Sequence, residues 1–560
     1  MSREKTLTAN RMFGRTAFLA LLRDEGIMHL FGNPGTTELP IMHALRDFPD
    51  LTYVMAMQES LVVAMADGFS RASGKLVAAN VHVAPGLGNA LGSLYNAKFT
   101  GTPLILTAGQ QEQGHGLTEP LLYDPLVPMA APLVKWAVEV TRLADLARIV
   151  RRAAKVAMSP PTGPVFISLP GDILNDEAGL DLGASTRIDA RARPADAVIA
   201  KLADVMLTAE RPVIIVGDEI VKSDALSEAS ALADALGGPV WQQPSNYGAH
   251  FPSEHRAFMG SLPRTQPQVR EILARHDLMI VLGADPLQMS VYSDVDPMPP
   301  DLATIQIGLV DWNTGKNYPV GLAVHADVRT TLAALVPRLK SVGGSALAKR
   351  ASEALAALAR SNWTARRATL SAEAERSRAA RPIAGDWLTL CVARAAELGA
   401  TVVNESLTTG RYIAGLLPFR ERYGFHGLAS GGIGWSVPAA VGVSLAQPGR
   451  PIICYVGDGS AMYSIQALWT AAHHKLPITY VVANNGGYRI IKQRLVSFHQ
   501  NRQFVGMDFA NPPVDFCALA EALGVPSEKI TDPEAIEPAL ERGLAGSGPR
   551  LLDVVVDGTV

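Results

Sequence analysis

Short apolar runs alternate with amphipathic stretches along most of this chain, a pattern typical of parallel α/β domains. In the first block, which extends to about Asp181, each run has the length of a buried strand and precedes residues at helical spacing. The predicted strands of this block are His29 to Phe31, Tyr53 to Met57, Val77 to Val81 and Leu104 to Ala108. The alternation predicts a doubly wound sheet with helices on both faces.

Two polar connectors divide the rest of the chain. Leu182 to Ala195 leads into a second α/β block, and Ala346 to Arg381 predicts a helical or mobile connector before a third. The predicted strands of the second block lie near Val213 to Val216, Leu278 to Leu282 and Ile305 to Ile307. We therefore predict an α/β protein with three doubly wound parallel-sheet domains, at 1–181, 196–345 and 382–560, and a connector at 346–381.

The third block contains a strand, a helix and a second strand with polar residues at both strand ends. Ile452 to Val456 is an apolar strand that runs into Gly457-Asp458-Gly459-Ser460. Tyr463 to His474 has helical spacing, and Ile478 to Ala483 predicts the next strand, which ends at Asn484-Asn485. If the strands are neighbours, Asp458 and Asn485 meet at the sheet edge where ligands of α/β proteins bind.

These residue types suit a metal-bound diphosphate. A carboxylate and a carboxamide oxygen are ligands that Mg²⁺ prefers, and the carbonyl of Gly487 can supply a third. Ser460, at a helix start, would face the diphosphate oxygens. Such a glycine-rich tetrad is often only a turn. Together with the Asn-Asn pair, however, it resembles the signature of thiamine diphosphate enzymes.

Composition narrows the class of protein further. The chain has 560 residues, 48% hydrophobic and 18% charged, and a net charge of -3, which gives no reason to expect nucleic acid or an anionic membrane as a partner. No apolar run approaches the ~20 residues that span a bilayer. The three cysteines have no zinc or disulfide spacing, and the amino terminus lacks the apolar region of a secretory signal. We expect a cytoplasmic enzyme that acts on small molecules.

Thiamine diphosphate also requires an acid that activates its aminopyrimidine ring, so that the thiazolium carbon can lose its proton. Glu59 is the candidate, because it follows a predicted strand and begins an amphipathic helix. A carboxylate at this position also suits the helix dipole, so a purely structural first-turn glutamate is the alternative.

Several further motifs resemble benzoylformate decarboxylase. In the first block they are Phe31-Gly32-Asn33-Pro34-Gly35, Gln58-Glu59, Asn80-Val81-His82 and Thr107-Ala108-Gly109-Gln110-Gln111. In the third block they are Asn404-Glu405-Ser406, Gly431-Gly432-Ile433-Gly434 and Ala467-Leu468-Trp469-Thr470-Ala471-Ala472, besides the tetrad. The resemblance covers most of the chain and is weakest in the middle.

This resemblance implies a fold, an assembly and a set of cofactor contacts. The domains would be a pyrimidine-binding, a central Rossmann-like and a diphosphate-binding domain, with active sites shared across a dimer interface in a homotetramer. Glu59 would bond the pyrimidine ring, and Ile433 would support the bent cofactor. Asp458, Asn485 and Gly487 would bind Mg²⁺. The remaining cofactor contacts would be Thr408, Gly459, Ser460 and Tyr488.

Other residues correspond to the substrate side of the family's site. His82 ends a strand and can exchange protons near neutral pH, although a structural histidine is the alternative. Thr36 stands where the family has a serine that contacts the substrate carboxylate, and a helix cap is equally compatible with it. Leu121 and Leu122 match apolar residues of the substrate pocket, with simple packing as the alternative.

The sequence departs from the family at two places. Ser290 aligns with a second catalytic histidine, and a serine cannot become a cationic acid near pH 7. The segment after the metal ligands, including Ile491 and Arg494, replaces a more apolar and aromatic stretch. If Arg494 faces the site, it predicts an additional anionic group, a larger acyl substrate or a different second substrate, and if it does not, a solvated helix face.

The sequence thus predicts non-oxidative decarboxylation of a 2-oxo acid, benzoylformate-like, to an aldehyde and CO₂, with carboligation as an accompanying reaction. The alternatives are an acetolactate synthase-like transferase, a 2-hydroxyacyl-CoA lyase and, less favoured, a noncatalytic cofactor-binding regulatory protein. The second block has strand-to-helix glycine turns but no complete dinucleotide fingerprint, so we assign it no cofactor.

Overall fold

The computed structural model describes residues 11–245, 247–289 and 291–560. In this part of the chain there are three six-stranded sheets, and every pair of neighbouring strands in them is parallel. This confirms the predicted fold class. Within the described residues, no helix is both long enough and apolar enough to cross a bilayer.

The amino-terminal sheet has the strand order β3-β2-β4-β5-β7-β6, and the short strands β1 and β8 form an antiparallel pair beside it. The strands are β1 Arg11–Phe13, β2 His29–Gly32, β3 Thr52–Met55, β4 Val77–Val81, β5 Leu104–Gln110, β6 Ala137–Glu139, β7 Val165–Pro170 and β8 Glu177–Gly179. The helices are α1 Gly14–Asp24, α2 Leu39–Leu45, α3 Glu59–Ser73, α4 Val83–Thr100, α5 Leu126–Ala130, α6 Leu146–Met158 and α7 Gly171–Asn175.

The central sheet has the order β11-β10-β9-β12-β13-β14, which places its topological switch point between β9 and β12. Its strands are β9 Pro212–Val216, β10 Val240–Gln242, β11 Phe258–Ser261, β12 Leu278–Leu282, β13 Ala303–Gly308 and β14 Leu322–His325. The helices are α8 Asp196–Thr208, α9 Asp218–Lys222, α10 Leu226–Leu236, α11 Gln266–Leu273 and α12 Val328–Leu358, followed by α13 Trp363–Arg376. α12 is kinked at Gly344.

The carboxyl-terminal sheet has the order β16-β15-β17-β18-β20-β19. Its strands are β15 Thr401–Glu405, β16 Phe425–Gly427, β17 Ile452–Gly457, β18 Ile478–Asn484, β19 Ser527–Ile530 and β20 Arg550–Val555. The helices are α14 Gly385–Ala396, α15 Ile413–Leu416, α16 Ser436–Ala446, α17 Asp458–Ala461, α18 Ala467–His473, α19 Arg489–His499, α20 Phe516–Ala522 and α21 Ile536–Ala545.

The helix between β17 and β18 is shorter than its hydrophobic spacing predicts. The chain forms α17 directly after β17 and then turns, with Tyr463 N bonded to Ser460 O and Ser464 N to Ala461 O. α18 begins only at Ala467. The buried apolar residue Ile465 therefore lies in a turn rather than in a continuous helix.

The two outer domains share one hydrophobic core, and its centre is the contact between α3 and α16. Glycine permits this close approach. A Cβ atom at Gly442 would lie 1.9 Å from Met65 O, and one at Gly68 would lie 2.3 Å from Ala439 O. The middle of α3 is thus packed closely against α16 of the carboxyl-terminal domain.

Gly442→Ala is expected to destabilise the protein by about 1–3 kcal/mol, because the new methyl group overlaps the backbone of α3. Urea unfolding followed by circular dichroism measures the change. Gly548→Ala is the matched control, since a Cβ atom there meets open space and should change stability by less than about 0.5 kcal/mol. Equal stability of the two variants would contradict the close helix contact.

Candidate functional site

Asp458 links the ends of two neighbouring strands. β17 and β18 pair in parallel up to Gly457 and Ala483, so both strands end at the same sheet edge. Asp458 Oδ1 accepts a hydrogen bond from Gly459 N at 2.8 Å. Its Oδ2 accepts from Asn485 N and from Gly487 N, each at 3.0 Å. Burial raises the pKa of Asp458, and these backbone N–H groups lower it. The structure therefore brings the three sequence-predicted metal ligands together.

The two asparagines after β18 have different environments. Asn484 Nδ2 donates to Asp553 Oδ1 at 2.9 Å, which is a structural contact. Asn485 Oδ1 is buried, and no donor in the described ranges bonds it. An orphaned buried oxygen is costly unless a ligand uses it. With the buried Asp458 carboxylate beside it, this hard donor set fits Mg²⁺ together with phosphate oxygens.

Asp458, Asn485 and Gly487 are called the clamp below. Its walls are formed by residues that follow β17 and β18. A Cβ atom at Gly459 would lie 2.7 Å from the Tyr488 ring, so only glycine fits there. Tyr488 N donates to Met507 O at 2.9 Å, and its ring packs edge-on against Phe509 at 4.8 Å between centroids. Gly459 and Tyr488 therefore form a compact surface beside the metal ligands, where the sequence predicts the diphosphate.

Glu405 organises the loop that contains Ile433, a role that sequence reasoning did not assign to it. Its buried carboxylate accepts hydrogen bonds from Gly434 N and Ser436 N, both at 2.6 Å, and from the Ser460 hydroxyl. Burial raises the pKa of Glu405. Ile433 is half-buried beside this anchor. The Asn404-Glu405-Ser406 motif was the available signal.

Thr408 is half-buried and precedes a short 3₁₀ helix, Thr409–Tyr412. This helix is held by Ser406, whose Oγ accepts from Gly410 N at 3.0 Å. Thr408 therefore lies on a loop that leaves the end of β15, the strand next to β17.

Glu59 is the first residue of α3, and only 8% of its surface is exposed. Gln58 caps the helix by accepting from Ser60 N at 2.7 Å, so the helix start does not depend on Glu59. Glu59 Oε2 accepts from Asn89 Nδ2 at 3.0 Å, while Oε1 lies over Gly86 of α4. Among the described residues no donor bonds Oε1, which leaves it available to a ligand.

His82 is held by a buried acid that sequence reasoning missed. His82 Nδ1 lies 2.8 Å from Glu38 Oε2, so it can donate to that carboxylate, and no residue in the described part of the chain bonds Nε2. Glu38 is fully buried, and it also accepts from Gly109 N at 2.8 Å and from the Thr37 hydroxyl at 2.9 Å. A Cβ atom at Gly35 would lie 2.1 Å from His82 Nδ1, so glycine is required there.

Thr36 lies at the start of a 3₁₀ helix, Thr36–Glu38, where Gly35 and not Thr36 occupies the N-cap. The exposed Thr36 side chain lines an open cavity of about 600 Å³, together with Arg15, His43, Gln110 and His115. A hydroxyl at the rim of such a cavity can contact an entering ligand.

The pocket candidates lie on two exposed segments. Leu121 and Leu122 are 85% and 37% exposed, in a loop that Gln111 holds by a 2.9 Å hydrogen bond to Leu121 O. Ile491 and Arg494 are exposed on α19, the helix that follows the clamp. Ser290 lies outside the described residues. Among the described residues no hydrogen bond joins Glu59 or His82 to the clamp.

Comparison with known proteins identifies the family of this chain. Three family models match the chain: the N-terminal TPP binding domain, the central domain and the C-terminal TPP binding domain of thiamine pyrophosphate enzymes, at residues 12–121, 199–335 and 408–554. This protein therefore belongs to the thiamine pyrophosphate enzyme family.

Two relatives and one solved structure illustrate the similarity. Benzoylformate decarboxylase of Pseudomonas aeruginosa is 33% identical over 96% of this chain and 98% of its own length. A putative acetolactate synthase large subunit of Mycobacterium tuberculosis is 28% identical over 98% of this chain and 100% of its own length. The thiamine diphosphate-dependent 4-hydroxybenzoylformate decarboxylase of Rhodococcus jostii RHA1 superposes with a TM-score of 0.86 at 30% identity, over 98% and 99% of the two chains.

Proposed function

We propose that this protein decarboxylates a 2-oxo acid without oxidation, releasing an aldehyde and CO₂, with thiamine diphosphate and Mg²⁺ as cofactors. The single observation that carries the proposal is the clamp at Asp458, in which the buried Asn485 Oδ1 has no partner among the described residues. Similarity to two benzoylformate-type decarboxylases along almost the whole chain supports the reaction class.

Asp458, Asn485 and the carbonyl of Gly487 would hold Mg²⁺, and Gly459, Ser460 and Tyr488 would surround the diphosphate. Thr408 and Ile433 would contact the rest of the cofactor. When bound, thiamine diphosphate supplies an electron sink for the carbon-carbon bond that breaks. Because these residues are buried or half-buried, they exclude water from the reacting atoms.

Two residues of the amino-terminal domain would carry out the proton transfers of the reaction. Glu59 would exchange a proton with the pyrimidine ring through Oε1, while Asn89 donates a hydrogen bond to the other carboxylate oxygen. His82 donates or accepts at Nε2, because Glu38 keeps the other ring nitrogen protonated. Since the family histidine is replaced by Ser290 in this chain, His82 is the proposed proton donor to the product. Thr36 would bind the substrate carboxylate, and Leu121 and Leu122 would cover the acyl group.

Self-association is supported by apolar side chains that are exposed beside both half-sites. Apolar side chains are exposed on both halves, including Met57 at 44%, Leu121 at 85% and Tyr463 at 58%. Exposed apolar groups around polar site residues are typical of interaction surfaces. We propose that a second copy completes each site and that two such dimers form a homotetramer.

We propose the cytoplasm as its location, in keeping with the absence of disulfides among the three described cysteines.

Purified protein supplied with thiamine diphosphate, Mg²⁺ and a panel of 2-oxo acids is expected to release CO₂ and aldehyde in equal amounts. The panel includes benzoylformate and its aliphatic relatives, and protein treated with a chelator is the control. Coupling of two oxo acids would instead favour the transferase, and cleavage of a 2-hydroxyacyl-CoA would favour the acyl-CoA lyase. Absence of turnover throughout, despite bound cofactor, would favour a noncatalytic protein.

A further inference from the structure

The segment that follows β20 lies beside the clamp. β18 and β20 pair in parallel up to Asn484 and Val555, so the chain leaves both strands at the same sheet edge. Val556 N donates to Asn484 O at 2.9 Å, which continues the contact by one residue. Residues 557–560, called the β20 extension below, therefore begin next to the loop that starts at Asn485.

Gly558 of the β20 extension touches the backbone of Asn485. A Cβ atom at Gly558 would lie 2.4 Å from Asn485 O and 3.8 Å from Asn485 Cβ. The φ angle of Gly558 is not positive, so glycine is required here for space and not for an unusual backbone conformation. A larger residue at this position would have to move the Asn485 backbone, and with it the orphaned side-chain oxygen.

Arg489 joins the β20 extension to another predicted metal ligand. Its backbone N donates to Gly487 O at 2.9 Å, and its side-chain Nε donates to Thr559 O at 3.0 Å. The guanidinium also lies 4.0 Å from the carboxylate of Asp557, and only 20% of the Arg489 side chain is exposed. The Gly487 carbonyl is thereby coupled to the β20 extension through a single residue.

The β20 extension is ordered by its own hydrogen bonds. The carboxylate of Asp557 accepts from Thr559 N at 3.0 Å and from the Thr559 hydroxyl at 2.8 Å, and Asp557 N donates to Ile383 O at 2.9 Å. The backbone N–H of Thr559 lowers the pKa of Asp557, and the Thr559 hydroxyl and the charge of Arg489 lower it further. The carboxylate therefore stays ionised near neutral pH, and these bonds persist.

A different segment supports the same loop through its other backbone groups. Tyr488 N donates to Met507 O, and Phe509 N donates to Gly486 O, each at 2.9 Å. The loop is thus held by residues 507–509 and by the β20 extension. Both supports matter to a small ion, because Mg²⁺ requires oxygen ligands at about 2.0–2.1 Å in near-octahedral geometry, whereas Ca²⁺ accepts about 2.3–2.6 Å and irregular arrangements.

We infer that Gly558 and Arg489 are positioning residues for the metal ion, and that the β20 extension sets the spacing of Asn485 and Gly487 so that the clamp prefers Mg²⁺ to the larger Ca²⁺. This inference rests on the proposed function, which places Mg²⁺ in the clamp. It concerns the geometry of the ligands, so it is tested by metal selectivity and does not require turnover.

Gly558→Ala is expected to weaken Mg²⁺ binding about tenfold at saturating thiamine diphosphate, because the new methyl group displaces the Asn485 backbone. Ca²⁺ affinity should change by less than about threefold, since its coordination tolerates the displacement. Titration calorimetry with each ion measures both affinities. Gly548→Ala is the matched control, because its Cβ atom meets open space and the residue precedes β20, at the opposite sheet edge.

Arg489→Gln should produce the same selective loss of Mg²⁺ affinity without adding any atom to the loop, since it removes the bond to Thr559 O. Arg450→Gln is its matched control. Arg450 also donates its Nε to a backbone carbonyl, Gly399 O at 3.1 Å, and pairs with Glu421, but it precedes β17, at the sheet edge opposite the clamp. It should leave both metal affinities within about threefold of the wild type.

The ratio of the Mg²⁺ and Ca²⁺ affinities decides the inference. A merely structural role would lower both affinities together, so a ratio within about twofold of the wild type, in either variant that circular dichroism shows to be folded, would overturn it. If Gly558→Ala does not fold, Arg489→Gln decides alone. A wild type that binds Mg²⁺ and cofactor but decarboxylates no 2-oxo acid would disprove the proposed reaction and leave this test valid. A wild type that binds no Mg²⁺ would overturn the clamp and the inference together.

Discussion

Glu59→Gln is expected to lower decarboxylation by about 10²–10⁴-fold while leaving thiamine diphosphate affinity within a few-fold of the wild type. Glutamine preserves the shape of the side chain and can keep the contact with Asn89. It cannot hold or release a proton at the atom that corresponds to Oε1, so the proton transfer is lost while binding survives. Steady-state CO₂ release and cofactor titration measure the two quantities separately.

The control for this variant is Glu228→Gln, which neutralises a first-turn glutamate of α10 in the central domain. If Glu59 only stabilised its helix, both substitutions would cost about 0.3–1 kcal/mol of stability and neither would change turnover. Gln58 already caps α3, so the helix start does not depend on Glu59. An unchanged rate in Glu59→Gln would remove Glu59 from the proposed mechanism.

The parts of the site that could be predicted from the sequence are those set by the succession of neighbouring strands and helices along the chain. Asp458 and Asn485 each directly follow a strand, and the ends of neighbouring parallel strands lie at the same sheet edge, so a pattern of two strands with one helix between them was sufficient. The length of that helix was not predictable in the same way. The turn from Tyr463 to Gln466 is set by i to i+3 hydrogen bonds, and hydrophobic spacing does not distinguish such turns from a helix.

The residues that sequence reasoning missed act through partners that are distant along the chain. Glu38 bonds His82 across 44 residues, and in sequence it resembles an ordinary helix-start acid. Glu405 acts on backbone groups 29 and 31 residues away. Such long-range pairs have no periodic signal in a single sequence.

Asp458→Asn is expected to weaken binding of thiamine diphosphate in the presence of Mg²⁺ by at least about 100-fold. Loss of an indirect metal contact already costs about 10–100-fold, and Asp458 is proposed to contact the ion directly. The substitution removes the negative charge and leaves only one acceptor oxygen for the three backbone N–H groups of Gly459, Asn485 and Gly487. Equilibrium dialysis with and without Mg²⁺ measures the affinity.

Asp553→Asn is the matched control, because Asp553 is equally buried on β20 but bonds Asn484 rather than Asn485. An asparagine there can keep its oxygen towards Asn484 Nδ2, so cofactor affinity should change by less than about threefold. The comparison separates loss of a metal ligand from general damage to a buried carboxylate in the same sheet. If Asp458→Asn bound the cofactor as tightly as the wild type, with the same dependence on Mg²⁺, the ion would have to bind elsewhere, and the orphaned Asn485 oxygen would need another partner.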